Sequence, residues 1–508
     1  MEQLLKKRSV RLTGCALNKQ EECPISGEYT LPEYCPDIAV VLKCFAYPRI
    51  LNRQWSGDQL LLDGSVVIRA LYLDEGRRCV RAIEFTQAFS CALRGEGRVS
   101  NAAVNLELCT KYLNCRAVNP RRIEVRGAII VDAYAESSVQ KDISVANECS
   151  GLYTRTQTKE ITAPCSNSDK ILTISESLDF PDDLPAAEML LGGECHAVMR
   201  ECKLLAGKAI VKGQVYLHQM YVDAHNVEMI HCLNFSIPFS QILDVDGAVE
   251  GMPYTATVHV LSDTERCTVG PGGENTILEV SVKLLAQVQV YQKEEIPVLL
   301  DAYHTKYPLS AQTEETDLRC LLGTRWEETV LPMQISVSSG RWHEILDVNA
   351  QLQEHDVVCS DGRAEARGRM TVCVIARDTD GEIVCDEFAE DYSLSYSCRG
   401  NAVSLHSVPI DYTYRMVDST LELKVVLCVA VTDAHCEKVY TLSDLHLKQD
   451  TPYPKQKATV LFYYADAEES VWDIGRNCHT SPKEICEENS LTGECISDST
   501  VLVVPIVN

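Results

Sequence analysis

The chain has 508 residues, 45% of them apolar and 24% charged, the proportions of a globular protein with room for several cores. A net charge of −26 excludes a nucleic-acid binder, because nothing would offset phosphate repulsion, and argues against adhesion to an anionic membrane. No apolar run approaches the ~20 residues of a membrane span, which argues against an integral membrane protein. The basic start (Lys6, Lys7, Arg8, Arg11) also lacks the apolar core of a signal peptide, so the expected location is the cytoplasm of the cell that makes it.

Residues 1–24 read as an N-terminal segment, followed by a first β-rich unit over 25–150. Leu31-Pro32 and Pro36 lie near its start. A strand then runs from Gly64 to Asp74, with Val66, Ile68, Ala70 and Tyr72 at alternate positions, the period of a strand with one buried face. The glycine predicts a bulge or a close backbone approach. The aspartate leads into Glu75-Gly76-Arg77-Arg78 and predicts a type I turn. After Ala88-Phe89-Ser90 comes a longer alternating strand that opens Ile123-Glu124-Val125.

The same order returns in a second unit over 151–310, which includes its leading connection. Phe180-Pro181 and Pro185 match the earlier prolines. Gly213 to Asp223 repeats the strand, with Val215, Leu217, Gln219 and Tyr221 on one face and Gln219 the single polar lapse. Pro238-Phe239-Ser240 follows, and then a long strand with Leu278, Val280, Val282, Leu284, Ala286, Val288 and Val290 on one face. A third, divergent unit over 311–450 is expected to open at Leu331-Pro332. It carries Gly368 to Asp378 (Met370, Val372, Val374, Ala376), Asp391-Tyr392-Ser393 and the strand from Leu421.

The spacings of the three glycines are 149 and 155 residues (213 − 64 and 368 − 213), too long for a solenoid and right for duplicated domains. Asp74, Asp223 and Asp378 are read as turn formers and not as a catalytic or metal set, since an Asx side chain satisfies the turn backbone locally. Gly64, Gly213 and Gly368 are structural landmarks of the repeat.

The 24 cysteines include no CxxC pair, and several, such as Cys373 and Cys428, fall on apolar strand positions as small hydrophobes. Reduced thiols are the expectation. Four Cys-His neighbours (Cys195-His196, His231-Cys232, His435-Cys436, Cys478-His479) point to opposite faces of a strand, so no metal is expected from them. No cofactor motif is present: Gly270-Pro271-Gly272-Gly273 lacks a phosphate-binding lysine. Nucleophile and metalloprotease motifs are missing as well, and the expectation is a protein that is not an enzyme.

A linker over 451–458 contains Thr451-Pro452-Tyr453-Pro454-Lys455-Gln456, and a different unit fills 459–508. A strand from Thr459 leads to a helix that Ser470 is expected to cap, with Asp473 in its first turn. Ser481-Pro482-Lys483-Glu484 predicts a second capped helix, with Asn489 as its left-handed stop, before a closing strand ending at Pro505.

This tail resembles a LysM domain in Ser470-Val471, Ile474-Gly475, Thr480, Ile485, Asn489 and Leu502-Val503-Val504-Pro505. The usual Gly-Asp of the first loop is Glu468-Glu469 here, and the glycine before the last strand is Ser499. LysM domains bind N-acetylglucosamine glycans between those two loops. The acidic replacements argue for a scaffold kept as a protein-docking surface. The resemblance implies Glu468, Glu469, Ser470, Val471, Trp472, Asn489 and Leu491 as groove positions, with Trp472 also readable as packing and Asn489 as a helix stop.

The stretch from Glu28 to Ile38, the Gly-to-Asp strand and the Pro-Phe-Ser phrase resemble the SPOCS domain of spore-coat-associated proteins. The implied fold is mainly β: three sandwich-like SPOCS modules followed by a small βααβ LysM-like domain. The implied role is a non-enzymatic scaffold in spore coat assembly on the mother-cell side of the forespore. Its tail would engage a coat-basement morphogenetic ATPase. The alternative is a peptidoglycan-binding protein of the spore cortex or cell wall.

Overall fold

The computed structural model describes residues 4–76, 79–96, 102–338, 341–454 and 458–506. Residues 1–3 of the N-terminal segment, Arg77 and Arg78 of the first expected turn, and Lys455 and Gln456 of the linker lie outside the described residues.

The first module has six strands: β1 (Leu5–Thr30), β2 (Ile38–Ser56), β3 (Gln59–Asp74), β4 (Val80–Arg94), β5 (Val104–Asn119) and β6 (Arg122–Asn147). They form two antiparallel sheets, β1-β6-β5 and β2-β3-β4. Both sheets contribute to one apolar core, with Leu17 and Ile25 from one face meeting Val66, Ile68 and Tyr72 from the other. The set-apart segment 1–24 therefore supplies most of a strand, because β1 pairs with β6 from Leu5 onwards.

The second module repeats this order with β7 (Leu152–Asp179), β8 (Ala187–Leu205), β9 (Lys208–Asp223), β10 (Ile230–Asp244), β11 (Tyr254–Val269) and β12 (Asn275–His304). The third uses β13 (Leu309–Ser336), β14 (Glu344–Ser360), β15 (Arg363–Arg377), β16 (Ile383–Ser397), β17 (Ala402–Val417) and β18 (Thr420–Leu447). Their sheets are β7-β12-β11 with β8-β9-β10, and β13-β18-β17 with β14-β15-β16. Leu331-Pro332 does not open the third module. It lies inside the edge strand β13, where a proline costs no ladder bond, and Val337 occupies the place of Leu31 and Phe180.

The repeated glycine and the repeated aromatic turn out to be one device. Gly64 pairs with Phe89, Gly213 with Phe239 and Gly368 with Tyr392 on the neighbouring strand. A Cβ on Gly213 would stand 2.2 Å from the Val198 carbonyl and 2.4 Å from the Phe239 ring. On the other side each glycine faces a β-bulge, between Ile50 and Asn52, Met199 and Glu201, and Glu354 and Asp356. The glycine thus lets a ring lie over the strand at the bend. The aspartates form turns as expected where described: Asp223 Oδ1 accepts from His225 N at 2.7 Å, and Asp378 Oδ1 from Asp380 N and Glu382 N at 2.9 Å. Asp74 lies 3.6 Å from Arg81 and leads into a turn at Glu75-Gly76. In two modules the strand also tethers the proline segment, through Tyr72 to the Pro36 carbonyl at 3.3 Å and Tyr221 to that of Pro185 at 2.9 Å.

The long strands outrun the sandwiches. Beyond a bulge at Cys15/Leu17, Val290/Tyr291 and Leu321/Gly323, each first and last strand continue as a two-stranded arm. The three arms pack on each other through Val10, Ile143, Ile161, Ile296, Leu318 and Val439. Ion pairs run round them, Arg8 to Glu294, Lys159 to Glu437 at 2.7 Å, and Lys141 to Glu314 at 2.9 Å. At the neck Glu136 is a knot of all three modules. It is 5% exposed, pairs with Arg319, and accepts hydrogen bonds from Tyr134 and Tyr291, each at 2.7 Å. The β2-β3-β4 sheet and its counterparts share another apolar cluster, which includes Phe45, Leu71, Met220, Val222 and Ile375. The three modules thus pack on one another in a ring, through their arms and through their sheets.

The expectation of uniformly reduced thiols is not met. Cys44 on β2 and Cys115 on β5 form a disulfide between the two sheets of the first module, because the facing sheets bring their Cα atoms to 6.2 Å. Cys373 and Cys428 are buried at 4% and 2% exposure, as their strand positions imply.

The tail has the order β19 (Val460–Ala465), α1 (Val471–Cys478), α2 (Pro482–Asn489) and β20 (Thr500–Pro505), with β19 and β20 antiparallel. Ser481 accepts from Glu484 N and Pro482 opens α2, as expected. Two details differ. Ser470 makes no side-chain cap and is held instead by a bridge to Cys495. The left-handed residue after α2 is Ser490 (φ 53°), since Asn489 is used elsewhere.

Candidate functional site

The tail has its own apolar core, built on Val471, Ile474, Ile485, Ile496, Leu502 and Val504. Two of the implied groove residues shape its loops. Glu468 has φ 68°, a left-handed conformation that favours glycine, and its N–H donates to the Ile496 carbonyl at 2.7 Å. Glu469 accepts from Tyr463 Oη at 2.6 Å and from Asp466 N at 3.1 Å, and that bond pushes the Tyr463 hydroxyl up to about 12. Glu468, Glu469 and Ser470 are thus brought together against the segment 494–496. Val471 is in the core, and Leu491 packs on its edge.

Trp472 and Asn489 have other partners. Trp472 Nε1 donates to Asp301 Oδ2 at 2.9 Å, and its ring meets Tyr303 edge-on at 4.9 Å. Arg476 reaches the same carboxylate oxygen at 2.8 Å. Tyr303 Oη donates to the Thr480 carbonyl at 2.6 Å. A Cβ on Gly475 would come 2.6 Å from that hydroxyl, so this helix residue has to be small. His479 stacks on Tyr453 of the linker at 3.7 Å. Trp472 therefore fastens the tail to the end of β12. Asn489 clamps α2 to β20, donating to the Ile485 and Val503 carbonyls and accepting from Val503 N at 2.7 Å. No local pattern marks Asp301 or Tyr303, because they lie about 170 residues from their partners.

The outer face of the β19-β20 pair remains uncovered. Phe462 is 67% and Tyr464 80% exposed, flanked by Val460 and Val501. Alternation along β19 places these side chains away from the tail's core.

A second feature was invisible in the sequence. A cavity of about 690 Å³ lies between the three sandwiches and is lined from all three modules. Glu107 of the first accepts from or pairs with His406 Nδ1 of the third at 2.8 Å. His259 of the second sits beside them, and burial, then His406 and Arg53, pushes its imidazole down to about 4, so it is neutral at pH 7. Burial works against the Glu194 carboxylate, but His196, His218 and Tyr412 together hold it below its usual range. The cavity is a cleft in which carboxylates and imidazoles lie among apolar wall residues such as Leu106, Val258 and Leu352.

Three copies of one six-stranded sandwich and a terminal βααβ unit define an internally triplicated, mainly β protein. Residues 187–265 match the family model described as SipL, SPOCS domain, a stretch that runs from the start of β8 into β11. The chain therefore carries a SPOCS domain, the mark of a sporulation-related protein, and the first and third modules repeat the strand order of the matched region. No curated protein and no solved structure matches the chain. Among the described residues no helix is long and apolar enough to cross a membrane.

Proposed function

We propose that the protein is a non-enzymatic scaffold of endospore coat assembly and forespore encasement. The three-module ring is its platform, and the LysM-like tail docks a coat-basement morphogenetic ATPase. The observation that carries this reading is the SPOCS match within a triplicated body that ends in a βααβ unit, an order similar to the clostridial spore coat morphogenetic protein SipL. The uncovered Phe462 and Tyr464 supply apolar contact area of the kind that anchors protein interfaces.

Pull-down of the ATPase by the full chain tests it. Deleting 459–508 should abolish capture, and Phe462→Glu with Tyr464→Glu should weaken it at least tenfold with the circular dichroism of the whole chain unchanged. Equal capture by all three proteins would overturn the docking role.

The alternative, peptidoglycan binding, is favoured by one observation. The left-handed backbone at Glu468 keeps the loop shape that a LysM glycine would adopt. Co-sedimentation with purified peptidoglycan, lost on truncating the 466–470 loop, would support that reading instead.

A further inference from the structure

The ring of modules closes through three equivalent joints. Arg69, His218 and Cys373 each lie five residues after the repeat glycine. Across the ladder they pair with Glu84, Asn234 and Glu387. Each faces the bulge of the next module, whose matching residues are Gly192, Asp347 and Lys43. At the first joint Arg69 donates to Glu84 at 2.7 Å and to the Gly193 carbonyl at 2.8 Å. At the joint that returns to the first module, Lys43 pairs with Glu387 at 2.5 Å. Each of these two joints holds one fixed cation beside a carboxylate.

At the joint between the second and third modules the matching positions hold the carboxylate Asp347, at 5% exposure, and His218, with no lysine or arginine at those positions. His218 Nε2 lies 2.7 Å from Asp347 Oδ1, and its Nδ1 lies 2.6 Å from Asn234 Oδ1. Cys232 Sγ is 3.8 Å from the same Asp347 oxygen. The three donor atoms lie within 4.8 Å of one another. Asn234 holds the far nitrogen as N–H, which aims the Nε2 lone pair at the carboxylate. Two acceptors then face each other unless a proton or a metal ion stands between them.

We propose that this joint is a zinc site that staples the second module to the third through His218 Nε2, Cys232 Sγ and Asp347 Oδ1. A proton alone would satisfy His218 and Asp347, with the Cys232 thiol 3.6 Å from the Leu346 carbonyl, whereas a metal ion would engage the imidazole, the thiolate and the carboxylate together. A nitrogen, a thiolate and a carboxylate suit Zn²⁺, with water in the fourth position. The Asn234 contact is the outer-shell bond that orients a metal-binding imidazole. Without metal, Nε2 carries a proton shared with Asp347 and Cys232 is a thiol. Binding therefore releases two protons to solvent, one from the imidazolium and one from the thiol.

The test uses the reduced full chain. One equivalent of Zn²⁺ should bind with release of two protons and raise the melting temperature. Co²⁺ in its place should give a thiolate charge-transfer band. Cys232→Ser, which keeps the size of the side chain, should abolish that band and the melting shift, and Asn234→Ala should weaken Zn²⁺ about 10–100-fold. A zinc-induced melting shift of the same size in wild type and Cys232→Ser would mean that other cysteines hold the metal. No stoichiometric uptake by wild type would mean an imidazolium–carboxylate pair only. Either result overturns the proposal.

Discussion

The body and the tail hold their parts together by different means. The body modules share apolar clusters between their arms and between their sheets, and three side chains from three modules converge on Glu136. The tail encloses its own small core and touches the body mainly through Trp472, Arg476 and the Tyr303 hydroxyl. The modules, although copies of one another, are therefore parts of one cooperative body. The smaller tail is the more separable piece.

The sharpest way to break this comparison is at the knot. Glu136→Ala removes the carboxylate shared by Arg319, Tyr134 and Tyr291, leaving Arg319 with the Tyr134 hydroxyl and Tyr291 with Gln289 Oε1 at 3.2 Å, and should destabilise the whole body by about 3–5 kcal/mol. Urea unfolding followed in each module should shift together; a shift confined to the first module would show that the ring is not cooperative.

Glu265 on β11 sharpens it with the opposite sign. Burial first, and Asp263 second, push its carboxyl up to about 7. The folded state then holds this proton more tightly than the unfolded chain does. Its stability is full below the ordinary glutamate range and falls as pH rises through about 7. Glu265→Gln should therefore stabilise the body by about 1–3 kcal/mol at pH 8 and change little at pH 4. Thermal melts at the two pH values check this, and equal effects at both would refute the burial argument.

The smallest effect on the body is expected from Trp472→Ala. Its removal should leave the body within about 0.5 kcal/mol of wild type, as for a peripheral contact. Proteolysis at the 451–458 linker should nevertheless become faster. Unchanged cleavage would mean that the Tyr303 and Arg476 contacts suffice to hold the tail.

Much of the local structure was legible. The alternating apolar residues of the repeat strand and of the 278–290 strand are buried as their period requires. The glycines marked close approaches, and Ser481-Pro482 marked a helix start. Leu331-Pro332 copies the letters of the earlier prolines without their place in the ladder, which Val337 takes instead. Ser470 and Asn489 carry the letters of local caps, whereas in the fold Ser470 bridges Cys495 and Asn489 binds β20. Trp472 had two readings, and its partner on β12 was out of reach of any local pattern.

Three copies, their strands, their turns and a different final unit are legible along the chain, because period, turn chemistry and capping act over a few residues. That the copies close into a ring, which residues meet at each joint and what lines the cavity follow from packing alone. Those contacts join residues more than a hundred positions apart, such as His218 and Asp347. Their meeting depends on how sheets pack and where bulges turn them, which no short stretch of sequence specifies.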